Sequence, residues 1–269
     1  MLAELTPIII VIYALAGLFA GLIGGMLGLG GGIIVVPVLH YLFLQQGFPA
    51  STIMQMAVTT SLATIIVTAV SATYIHHRKE AVIWPIVYKL VPGIILGACF
   101  GAILADIVSS NALRIIFGVF EILVAMQIGL ELKPTAKMRV PGTTGLVASG
   151  SGIGFLSTLL GIGGGTLTVP FLLLCNVNIR NAVAISSACG FPIAVAGTTA
   201  LIIAGWDNTN VPIHSIGYLY WPAALIIMAM TIIFAPLGAR LAHYLPVNIL
   251  KRIFSVILVF VGLKMLIKF

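Results

Sequence analysis

Apolar runs close to 20 residues long recur from one end of this 269-residue chain to the other. A helix of that length crosses a hydrocarbon core of roughly 30 Å, and lipid tolerates no open sheet edge. The pattern therefore restricts the chain to an all-α polytopic membrane protein. Ten segments can be read, at roughly 6–27, 32–44, 52–75, 82–105 and 112–130, then 143–160, 166–175, 181–204, 218–242 and 247–268. Composition agrees: 61% hydrophobic, 7% charged and a mean hydropathy of +1.22 lie far outside the globular range. The first run has no basic flank and starts directly after Glu4, so we expect no cleavable signal.

Two segments are too short to cross. Thr166–Cys175, as a helix, reaches about 15 Å, half the hydrocarbon thickness, and Gly32–Leu44 is little longer. Each follows the same string: GLGGGIIVVP runs from Gly28 to Pro37, and GIGGGTLTVP from Gly161 to Pro170, 133 residues on. The chain is thus a tandem duplication. Trp84-Pro85 recurs as Trp221-Pro222, and GAILADIVSSNALRIIF from Gly101 recurs as GARLAHYLPVNILKRIF from Gly238, both at an offset of 137. We read residues 1–131 as the first transmembrane repeat, 132–141 as a cytoplasmic linker and 142–269 as the second repeat. About eight full spans and two short or re-entrant helices at the glycine strings result.

Charge sets the relative orientation of the halves. If the loops after the third, fifth, seventh and ninth segments face the cytoplasm, nine of the 13 Lys and Arg lie inside, as the positive-inside rule expects. The basic loop at 76–80 corresponds to the loop around Asp207, which has no Lys or Arg; the sparse loop at 106–111 corresponds to the basic one at 243–248. Opposite bias at equivalent positions predicts two inverted five-segment repeats, whose glycine tips approach each other near the midplane.

A turn at membrane depth must be buried in protein or line a cavity. Glycines Gly28, Gly30, Gly31 and Gly32, and Gly161, Gly163, Gly164 and Gly165, permit such turns and let a ligand approach the backbone. The short helix after each string presents unpaired N–H groups and a positive dipole end, a ready anion site. The competing reading is close helix packing by small residues. Thr59, Thr60 and Ser61, loosely mirrored by Ser186 and Ser187, either contact a substrate or bond back to their own helix. Gln55 is a weaker candidate. Gly190 and Pro192 are expected to break the eighth helix just after its hydroxyls.

Glu121, midway along the fifth segment, is the one deeply placed carboxylate and a candidate proton-coupling group, although Leu258 is its counterpart. His40 faces the same objection, with Leu173 opposite it. Lys89 and Arg240 can snorkel, and Trp84, Trp206 and Trp221 read as interfacial belt residues. No dinucleotide fingerprint fits, since Ile33 stands where a glycine is needed, and no Gly-Lys-Ser/Thr or catalytic constellation occurs. Neither a catalytic residue, a cofactor nor a metal is expected. The cysteines Cys99, Cys175 and Cys189 lack metal spacing and read as packing residues. The net charge of +7 sits in short loops, so the partners are a small anion and the bilayer rather than nucleic acid, with a homodimer left open.

With its paired Gly-x-Gly-Gly-Gly-x-x-x-x-Pro strings, duplicated plan and length, the chain resembles the sulfite exporter TauE/SafE family of bacterial and archaeal membrane permeases. The resemblance covers essentially the whole chain. It implies a multi-pass protein of the cell membrane, exporting small sulfur-containing anions such as sulfite or organosulfonates like sulfoacetate by alternating access. The alternatives are uptake of another small anion or solute and, in a different class, a membrane-embedded enzyme or scaffold.

Overall fold

A computed structural model describes residues 6–27, 31–129, 139–241 and 247–267. Most of the linker at 132–141 lies outside the described residues. Among these, ten helices form: α1 (Pro7–Leu27), α2 (Gly32–Gln45), α3 (Ile53–Arg78), α4 (Trp84–Ile107), α5 (Ser110–Gly129), α6 (Thr143–Leu160), α7 (Gly165–Leu174), α8 (Ile179–Ala204), α9 (Trp221–Leu241) and α10 (Val247–Leu266). Seven are long and apolar enough to cross a membrane over described residues, and α10 has the length at 20 residues. The short ones are α2 and α7, with 14 and 10 residues. The fold is an all-α polytopic membrane protein.

Helix starts follow local chemistry. Trp84-Pro85 and Trp221-Pro222 both open helices, where proline's fixed φ suits the first turn and its missing N–H costs nothing. Ahead of Trp221 the chain makes a small antiparallel hairpin, β1 (Ser215–Ile216) with β2 (Leu219–Tyr220), turning at Gly217 with φ 54°. Sequence reading ran the ninth segment back to 218, because hairpin and helix are equally apolar there. Helix α8 runs unbroken through Gly190 and Pro192. A proline inside a membrane helix removes one hydrogen bond, which neighbouring helices tolerate.

Small residues bring the helices together. Gly93, Gly97 and Gly101 lay the α4 backbone against Val147, Ser151 and Phe155 of α6; Gly17 and Gly21 do the same for α1 against α9 at Ile227 and Thr231. In both pairs the helices run parallel. The centre is α3 crossing α8 antiparallel, with Leu62 beside Gly197 and Ala69 beside Gly190. α5 and α10 are likewise antiparallel, Gly118 against Gly262, with Ser255 Oγ donating to the Ala125 carbonyl at 2.9 Å. Each half thus repeats the other's neighbours: α1 on α9 as α6 on α4, and α2 on α3 as α7 on α8. α3 is buried over most of its length, while the other spans keep an outward apolar face. Cys175 and Cys189 are buried as packing residues, whereas Cys99 lies on the outward face of α4.

The two ends of the bundle differ chemically. At one, Arg180 and Asn181 donate to the carbonyls of Lys79 and Ala81, gathering α8's start with the basic end of α3. At the other, Tyr218 donates to Asp106 at 2.6 Å and Thr52 donates to the Asn210 carbonyl at 2.9 Å, tying the hairpin down. Burial pushes the Tyr218 phenol up to about 12, and its hydrogen bond to Asp106 adds to the shift.

Candidate functional site

The glycine strings deliver their short helices to the middle of the molecule, where they meet. A methyl group on Gly32, the first residue of α2, would stand 2.5 Å from the Gly161 carbonyl oxygen and 3.0 Å from Ile162 Cα. Only hydrogen fits between the two backbones. Gly28 and Gly30 lie outside the described residues. The residues before the two short helices, Gly31 and Gly164, are equivalent in sequence yet differ in hand. Gly31 has φ 74°, the left-handed region that disfavours side chains; Gly164 has φ −57°, which any residue adopts.

The hydroxyls of α3 are engaged. Ser61 Oγ donates to the Gly161 carbonyl at 2.8 Å, so the first half's helix clamps the second half's string. Thr59 Oγ1 donates back to the Gln55 carbonyl at 2.7 Å, and Gln55 Nε2 donates to the Val108 carbonyl at 2.9 Å. Thr60 Oγ1 accepts the Tyr220 N–H at 3.1 Å. The Tyr220 ring is buried edge-on against Phe43 and Phe48, at centroid distances of 5.6 and 5.1 Å. Beside this cluster Gln46 Nε2 donates to Tyr13 Oη at 2.6 Å. Hairpin, α2 and α3 are therefore packed shut on the side of Asp106.

On the opposite side the packing opens. Gly163, Gly164 and Gly165 face a cavity of about 40 Å³, room for roughly three waters or one small oxyanion. Ser186 and Ser187 of α8 and Thr68 of α3 line it, and His76 stands among its lining residues from the basic end. Ser187 Oγ donates back to the Val183 carbonyl at 3.0 Å, but Ser186 Oγ is buried with no partner. Thr166 Oγ1 and Thr168 Oγ1 on α7 are buried and unpartnered too. The Thr168 hydroxyl lies 3.1 Å from where a Gly164 methyl would be, so it stands beside the tip. Leu167 and Thr168 N–H groups return to the Gly164 carbonyl, which leaves the earlier N–H groups of that turn outside the helix ladder. The unpaired Ser186 hydroxyl and the N-terminal turn of α7 face one small space, with the Thr168 hydroxyl beside the tip. That is a donor-rich environment, and among its lining residues only His76 carries an ionisable side chain.

Other residues singled out from sequence sit apart. Glu121 is fully buried where α5 meets α10, its Cβ against Gly262, with both carboxyl oxygens unpartnered. Trp206 and Trp221 are exposed near span ends. Lys89 is exposed on α4, and the side chain of Arg240 lies outside the described residues. Thr166 and Thr168 were missed, although a signal existed: they replace Ile33 and Val35 of the first string, so one copy carries hydroxyls where the other carries branched aliphatics.

Residues 13–265 match the family described as Sulfite exporter TauE/SafE. A probable membrane transporter protein of Haemophilus influenzae is 34% identical over 262 residues, covering 96% of this chain and 98% of its own. Probable membrane transporter proteins of Methanocaldococcus jannaschii and Bacillus subtilis are 29% and 28% identical, over 97% and 95% of this chain and 96% and 97% of theirs. No solved structure matches. Helices that span a membrane and a family match over nearly the whole length lead to one conclusion: the chain belongs to the sulfite exporter TauE/SafE family and is a multi-pass membrane transporter.

Proposed function

We propose that this protein is a permease for small sulfur-containing oxyanions, such as sulfite or sulfoacetate, working by alternating access. The observation that carries the reading is the orphaned Ser186 hydroxyl beside the Gly163–Gly165 tip, in a cavity whose described lining holds no Lys or Arg. An unpaired hydroxyl at such depth is costly unless a ligand accepts from it for part of the cycle. N–H groups and hydroxyls without a fixed cation hold an anion firmly enough to select it and loosely enough to release it. The family's name points to sulfite; export is the direction it suggests.

Two inverted repeats account for the rest. Antiparallel crossing of α3 with its counterpart α8, and of α5 with α10, is what inversion requires. In this reading the basic end faces the cytoplasm, and the described conformation is open toward it and shut at Phe43, Phe48 and Tyr220. Gly28, Gly30–Gly32, Thr59, Thr60 and Ser61 then form the matching site when the cycle reverses. Glu121 is the proposed coupling group, since a carboxyl in the span changes charge only by exchanging a proton.

Flux in proteoliposomes tests the function. Accumulation of labelled sulfite or sulfoacetate, absent from empty liposomes and competed by unlabelled anion, is expected. Flux indistinguishable from empty liposomes across sulfite, sulfoacetate, thiosulfate and sulfate would remove the anion assignment. The family membership would stand.

A further inference from the structure

A second and larger cavity lies near the hairpin end, with none of the strings' glycines in its described lining. α2, the first turn of α5 and the last turns of α10 enclose about 680 Å³. Its walls are mostly apolar, with Val38, Leu42 and Ile53 among them. Its rim carries Tyr41, Leu44, Phe260 and Ile267, all large and outwardly exposed, the kind of surface a bilayer covers. The groove therefore opens sideways into hydrocarbon rather than along the path between the tips.

One end of the groove is strongly polar. Arg114 and Lys264 both line it, and among the described residues no carboxylate does. Arg114 donates to the carbonyls of Met265 and Ile267 and to Asn111 Oδ1, all neutral acceptors, so among the described residues its charge has no anionic partner. The Lys264 ammonium stands 5.0 Å from the centre of the Tyr41 ring. His40 Nδ1 is buried in the same wall without a partner among the described residues, and α5 starts alongside, with Ser110 and Asn111 in the lining. A purely apolar occupant would leave two cations unmatched, and an inorganic anion would leave the apolar walls bare.

We infer that this groove binds an anionic phospholipid of the surrounding bilayer, its phosphate between Arg114 and Lys264 and its acyl chains along the α2 wall. The site is separate from the proposed substrate cavity and does not depend on which anion is transported. A headgroup charge near each basic side chain is worth about fivefold in affinity, so the pair favours an anionic over a zwitterionic lipid by about 30-fold.

The test uses delipidated full-length protein in a neutral detergent. It is titrated with phosphatidylglycerol, with phosphatidylcholine of the same chains, and with glycerol phosphate, and is read by native mass spectrometry and melting temperature. Phosphatidylglycerol adducts that survive activation and raise the melting temperature are expected, with phosphatidylcholine and glycerol phosphate much weaker. Arg114→Gln also frees the end of α10, so Lys264→Gln, whose ammonium makes no hydrogen bond among the described residues and stands over the Tyr41 ring, carries the specificity test and is expected to weaken phosphatidylglycerol about fivefold. Equal binding of the two lipids, or unchanged binding in Lys264→Gln, overturns the proposal. So does tight glycerol phosphate binding, which would make the groove a soluble-anion site. A dimer cross-linked through position 41 that excludes lipid would assign the groove to a second copy instead.

Discussion

The two glycine strings are nearly the same sequence, yet they occupy different environments. The first string's helix starts from a left-handed Gly31, pressed so close to α1 that a methyl there would stand 2.9 Å from the Ala20 carbonyl oxygen. The second starts from a right-handed Gly164 and faces a cavity. The hydroxyls that accompany the first, Thr59, Thr60 and Ser61, all have partners within the protein. Of those that accompany the second, Ser186, Thr166 and Thr168 have none among the described residues, and Ser187 bonds back to its own helix. The same string occurs twice in the sequence, and packing presses one copy against α1 while the other faces a cavity.

Substitution at the two strings should separate these roles. Gly31→Ala forces a side chain into the left-handed region, costing about 1–2 kcal/mol before the conflict with Ala20 is counted. We expect the largest loss of folded protein there, measured as yield and melting temperature in detergent. Gly164→Ala keeps an allowed backbone and places its methyl by the Thr168 hydroxyl and the movable end of Ile193. Flux should fall sharply with a much smaller drop in melting temperature. If both variants lose stability equally, both strings are packing elements and the contrast fails.

A second pair of changes sharpens the contrast at the hydroxyls. Thr60→Val removes the acceptor for the Tyr220 N–H, leaving that buried donor unsatisfied at a cost of about 1–3 kcal/mol. The hairpin should loosen, raising the reactivity of a cysteine placed at Phe48 toward an impermeant reagent. Thr59→Val loses only a bond back to its own helix, and binding should change by less than about threefold. Should Thr59→Val match Ser186→Ala in its effect, the first string's hydroxyls hold substrate in this state as well.

Glu121 lies in neither string's surroundings, and its effect is expected to be narrower still. Glu121→Gln keeps the shape and removes the exchangeable charge. Anion binding should persist while uptake ceases to respond to an imposed pH gradient. A gradient response equal to that of the unsubstituted protein would make Glu121 a packing residue of the α5–α10 contact.

How much of this was legible in sequence follows from what each pattern encodes. Apolar length is a local property, so all ten helices fall within a few residues of their segments, and α2 and α7 are short as read. The hairpin at 215–220 was not legible, because Tyr218, Leu219 and Tyr220 read as the start of the Trp221 helix. The glycine strings and the five hydroxyls could be named as candidates. Whether Ser61 would donate to Gly161, and Ser186 to nothing, depends on how α3 and α8 cross, which no local pattern encodes. Thr166 and Thr168 were visible as the difference between two copies, and treating the copies as equivalent hid them.

The most direct test of the central claim is equilibrium binding of the oxyanion to purified protein with Ser186 and Thr168 altered separately and together. Sulfite and sulfoacetate serve as probes, with the melting temperature followed alongside. A hydrogen bond to a charged ligand contributes about 1.5–3 kcal/mol, so Ser186→Ala should weaken binding at least about tenfold, with Thr168→Val adding to it and the melting temperature nearly unchanged. Unchanged affinity in the double variant would contradict the claim that the second glycine string and its orphaned hydroxyls form the anion site.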